Sequence, residues 1–84
     1  MDKDKQEKLA IWNYLNRHYD ELYEVGFSST FAFYIYENSK TLAEARSQLV
    51  ADIKDEIQYA KNNGIPKDAI KKLMKLLKVI EEEF

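Results

Sequence analysis

Hydrophobic positions along the chain recur at helical spacing almost throughout. In the first third, Ile11, Leu15, His18, Leu22 and Val25 follow an i, i+4, i+7 pattern, and Trp12, Tyr19 and Tyr23 widen that face. This predicts a first helix from about Asp4 to Glu24, closed by Gly26 as the left-handed residue that helix ends favour. Further on, Leu42, Ala45, Leu49, Ile53, Ile57 and Ala60 share one face of a longer helix. Thr41 and Glu44 form a capping box at its start, and "NNG" at Asn62 to Gly64 stops it. A last helix opens near Pro66, whose missing N–H costs nothing in a first turn. Its apolar residues Ile70, Leu73, Leu77, Ile80 and Phe84 read as a heptad seam.

One stretch breaks the periodicity. In "GFSSTFAFYIYENSK", Gly26 to Lys40, the six residues Phe31 to Tyr36 are all apolar or aromatic. As a strand the segment would be apolar on both faces, and no other segment reads as a pairing partner. As a helix it has Ser28 or Ser29 for an N-cap and a bend at Asn38 to Lys40 before Thr41. The helical reading puts Phe27, Phe31, Tyr34 and Ile35 on one face and turns Phe33 and Tyr36 to the other. The fold class expected is all-α: an irregular four-helix bundle of three longer helices and one short aromatic helix. It forms a single domain over 1–84, with frayed ends at about 1–4 and 82–84.

Composition narrows the classes of function. Hydrophobic residues make up 45% and charged residues 33%, too apolar a mixture for a disordered chain. Two glycines and one proline leave little for the tight turns of a many-stranded sheet. Net charge is -2, which gives no global attraction to nucleic acid or anionic lipid. The absence of cysteine excludes disulfides and thiolate metal sites and suits a reducing compartment. The charged opening "MDKDKQEKLA" is no secretory signal, and no apolar run approaches the roughly 18 residues of a membrane span. A soluble cytoplasmic protein without a cofactor is the expectation.

The aromatics then point to a use. Nine of the eleven fall between Trp12 and Tyr36. Most suit a small core, but Phe33 and Tyr36 leave the expected short helix on the side away from its packed face. Exposed aromatic pairs rimmed by polar groups are what protein contacts are made of. Phe33 and Tyr36, then Tyr34, Trp12 and Tyr14, are the candidate residues for docking on another protein or on a second copy of the chain. Burying two such rings contributes about 3 to 5 kcal/mol before association costs.

Other constellations carry less. His18 is the sole histidine, and "HYDE" offers no second ligand one turn away as HExxH does, so a structural role fits it best. Asp52 and Glu56 lie one turn apart, but Arg46, Lys54 and Lys61 around them suit a solvated face. No serine–histidine–acid set or phosphate-cradling glycine motif is present, so no enzyme is expected. The main rival to docking is the last helix. Lys67, Lys71, Lys72, Lys75 and Lys78 flank its seam and would suit a nucleic-acid-associated regulator, with the caution that "EEE" at Glu81 to Glu83 follows at once. In size, charge mixture and helix count the chain resembles small helical proteins of bacterial mobile elements and antagonism systems, such as bacteriocin immunity proteins and phage-encoded inhibitors. The likeness is architectural and transfers no residue; it implies a role as inhibitor, immunity or regulatory protein.

Overall fold

The computed structural model describes residues 3–83, and these form five helices and no strand. They are α1 (Lys3–Arg17), α2 (Tyr19–Glu24), α3 (Ser29–Asn38), α4 (Leu42–Asn62) and α5 (Lys67–Glu82). The all-α expectation holds, and the aromatic stretch is helical. Lys3 and Asp4 lie within α1 and Glu82 closes α5, while residues 1, 2 and 84 of the expected frayed ends, with the Phe84 position of the seam, lie outside the described residues.

The expected first helix is in fact two. His18 adopts φ -101° and ψ 7°, away from helical values, and separates α1 from α2. Two backbone bonds carry the ladder over the break: His18 N–H donates to Tyr14 O at 3.3 Å, and Leu22 N–H donates to His18 O at 2.9 Å. The side chains on either side keep helical phase closely enough that periodicity alone could not show the interruption.

Two compact units make up the chain, one up to Gln48 and one from Leu49 onward, with α4 running through both. The first holds α1, α2, α3 and the opening turns of α4. Its core is Ile11, Leu15, Ile35 and Ala45, with Phe31, Tyr36 and Leu42 packed against it. In the second unit, α5 folds back along α4 to bring Glu81 Oε2 within 4.0 Å of Lys54 Nζ. The buried positions there are Leu49, Ile53, Ile57 and Ala60 on α4, and Leu73, Leu76 and Ile80 on α5. Leu76 replaces Leu77 in the expected seam, and Leu77 is only half-buried. At about 100° per residue, Leu73, Leu76 and Ile80 span only about 60° of arc, with Leu77 beyond its edge. The stripe keeps the alternating three and four spacing of a heptad, in a different register from the expected one.

Local chemistry fixes the helix ends. Ser28 Oγ accepts from Phe31 N–H at 3.4 Å and caps α3. At α4 the capping box is complete: Thr41 Oγ1 accepts from Glu44 N–H at 3.1 Å, and Glu44 Oε1 accepts from Thr41 N–H at 3.1 Å. Glu44 Oε1 also takes Lys40 N–H at 2.8 Å, and the carboxylate of Glu7 on α1 takes Leu42 N–H at 3.3 Å. Both glycines close helices at positive φ, Gly26 at 102° and Gly64 at 67°. After each, the next residue donates back to the last turn, Phe27 to Leu22 O at 2.9 Å and Ile65 to Ala60 O at 3.0 Å, which is the Schellman pattern. Replacing Thr41 with alanine removes one half of the box, and a loss of about 1 kcal/mol is expected in urea unfolding. An unchanged midpoint would mean that Glu7 and Glu44 hold the α4 N-terminus without it.

Candidate docking surface

The outward face of the first unit is built by α1 and α3. On α1, Ile11 and Leu15 point inward, which turns Leu9 and Trp12 out: they are 60% and 44% exposed. On α3, Ile35 is fully buried, and Phe33, about 200° round the helix from it, is 52% exposed. Tyr36 lies between the two, half-buried. Its ring meets Trp12 edge-on with centroids 5.6 Å apart, and Phe33 with centroids 6.3 Å apart. Lys8 closes one side: its ammonium lies 4.7 Å from the Tyr36 ring centre and donates to the carbonyls of Tyr36 and Glu37.

Two concavities flank Trp12 and share it as a wall. One, of about 510 Å³, is bounded by α1, α2 and the first turns of α3, with Asn16, Tyr19, Ser29 and Phe33 around it. The other, of about 610 Å³, runs along α1 from Lys5 past Lys8 and Leu9 to Tyr36. Together they make a furrow with an apolar floor and a polar rim.

The structure brings three of the five expected docking residues together here: Phe33, Tyr36 and Trp12. But Tyr36, expected on the outward side with Phe33, is half-buried and packs against the core, since it lies only about 100° round α3 from Ile35. Tyr14 does not belong with them. It is buried, its ring 4.9 Å from that of His18, with the guanidinium carbons of Arg17 and Arg46 at 5.4 and 5.8 Å. Two positions from Trp12 on a helix means the other side, so this ring is core. Tyr34 is exposed rather than inward as its expected face implied, and it opens on a different, polar hollow lined by Asn38, Glu44 and Gln48. A rotation of about 100° per residue carries it off both the Ile35 face and the Phe33 face. Leu9 was not expected at all. Its spacing of three from Trp12 was the available signal, hidden because Trp12 was read as widening the inward face.

The remaining candidates stay apart. His18 is 4% exposed, and its Nδ1 lies 2.9 Å from Glu21 Oε1 of the same segment. Among the described residues no three His, Cys, Asp or Glu side chains gather as a metal site, which includes Asp52 and Glu56. All five lysines of α5 are exposed. Lys67, Lys71, Lys75 and Lys78 form one stripe opposite the buried leucines, and Lys72 lies off it. Glu82 tempers the stripe's C-terminal end, 4.0 Å from Lys78. No described helix is long and apolar enough to cross a membrane. No family model, curated protein or solved structure matches the chain.

Proposed function

We propose that the chain is a non-enzymatic protein-interaction module that acts by occupying a partner's surface with the Leu9–Trp12–Phe33 face. A role as inhibitor, immunity or regulatory protein in the cytoplasm suits its size and its lack of cysteine. The observation that carries the reading is the exposure of Trp12 and Phe33 on either side of Tyr36. Rings left about half in water draw only part of their apolar gain from folding, whereas at an interface such rings supply most of the affinity. The wall formed by α1 and α3 also fixes their positions in advance, which lowers the ordering cost of binding.

The test is photo-crosslinking in the cells that make the protein, with a benzophenone amino acid at position 33 and, as a control, at Tyr59, an exposed ring of the second unit. A discrete protein adduct from position 33, resistant to nuclease and missing from position 59, is expected. Equal adducts from both positions, or none from position 33, would remove the reading. The lysine stripe of α5 supports a second one, contact with nucleic-acid phosphates. Its mark would be nucleic-acid retention that falls steeply as salt rises.

A further inference from the structure

The rim of the furrow has a sign. The chain carries 15 carboxylate residues against 13 lysines and arginines, yet the two concavities are lined by Lys5 and Lys8 and by no Asp or Glu. Glu37, one turn past Phe33 on α3, lines neither of them. Lys8 is held in place by the carbonyls of Tyr36 and Glu37, so its charge is fixed at the rim. At the far end of the furrow, Ser29 and Thr30 are the first residues of α3 and border the concavity there. The positive end of that helix dipole therefore faces the furrow. Lys5 and Lys8 thus place positive charge at one end, the α3 N-terminus borders the other, and Leu9, Trp12 and Phe33 give the apolar lining between.

Resting on the docking reading above, we propose that the occupant is an amphipathic helix of another protein, with apolar anchors on one face and carboxylates beside them. The length fits. Lys5 to Asn16 along α1 is about 16 Å at 1.5 Å per residue, three turns of a facing helix. The form follows from the walls. Both are helices with their backbone groups bonded internally, and the described residues offer no sheet edge to which an extended peptide could add. Apolar anchors at i, i+4 and i+7 fill the floor, and acidic side chains at the helix ends meet Lys5, Lys8 and the α3 N-terminus.

The experiment uses the full chain and three fluorescent stapled helical peptides with identical Leu and Phe anchors, flanked by glutamate, glutamine or lysine. Anisotropy titration should show the glutamate peptide binding about tenfold tighter than the glutamine one, with the lysine peptide weakest and the spread shrinking in high salt. Lys5→Glu, which leaves Lys8 in place, should remove most of the preference for the glutamate peptide, and either Trp12→Glu or Phe33→Glu should abolish binding of all three while helicity is retained. Equal affinity for the three peptides would overturn the acidic occupant and leave the docking reading in place. So would failure to bind any of them by a chain that still crosslinks a protein through position 33. Concentration-dependent self-association lost with Trp12→Glu would assign the furrow to a second copy and overturn the proposal as well. Absence of both peptide binding and crosslinks would end both readings.

Discussion

Replacing Ile35 with alanine is expected to lower folding stability by about 3 kcal/mol, within the range of about 2–5 kcal/mol found for such truncations in cores. Ile35 is the one residue of α3 that is fully buried, and it meets Ile11, Leu15 and Ala45 at the centre of the first unit. Truncation removes three carbons from a site walled by rigid helices, so the transfer loss and a residual cavity both count. A chain of this length has about 4–12 kcal/mol in all, at about 0.05–0.15 kcal/mol per residue, so the loss is a large share of it. Chemical denaturation followed by circular dichroism measures it, with Ile35→Val as a graded control expected at about 1 kcal/mol. Phe33→Ala, on the same helix but half in water, should cost far less. If Ile35→Ala and Phe33→Ala prove equally mild, α3 is not anchored through Ile35 and the placement of the aromatic face loses its foundation.

The double substitution Trp12→Glu and Phe33→Glu is expected to act chiefly on binding: a moderate drop in the unfolding midpoint, from the half of each ring that its own fold covers, and loss of partner binding by at least about a thousandfold. Hot-spot aromatics cost about 2 kcal/mol or more each when truncated, and each 1.4 kcal/mol is about tenfold in affinity. Glutamate adds the desolvation of a carboxylate to the loss of the ring. Affinity for the protein captured through position 33, measured by calorimetry on the purified pair, is the readout. A binding loss that tracks a collapse in stability would mean that the two rings support the fold rather than the contact. Retained affinity in a folded double variant would place the contact elsewhere on the chain.

Much of this organisation was legible in the residues. The α4 face from Ala45 to Ala60, its Thr41–Glu44 box and the glycine stops at Gly26 and Gly64 each rest on neighbours a few positions apart, and each appears as expected. The interruption at His18 was not legible, because side chains before and after a brief change in ψ continue in nearly the same phase. Nor was the burial of Tyr14 and the exposure of Trp12. Both are amphipathic rings on one helix, and hydropathy gives no reason to prefer one of them for the interior.

What the sequence by itself determined is the helical character of the chain, the stops before α3, α4 and α5, and the side of α4 that is buried. These are local quantities, set by periodicity, caps and the φ freedom of glycine. Only the tertiary structure decided which aromatics face water and what surrounds them. That choice depends on how α1 and α3 are rotated against each other about Ile11, Leu15 and Ile35. A shift of one position turns a side chain by about 100°, enough to move a ring from the core to the furrow. The lining of the concavities is tertiary for the same reason: Lys5, Lys8, Leu9 and Trp12 come from α1, Phe33 and Tyr36 from α3, and only packing sets them side by side.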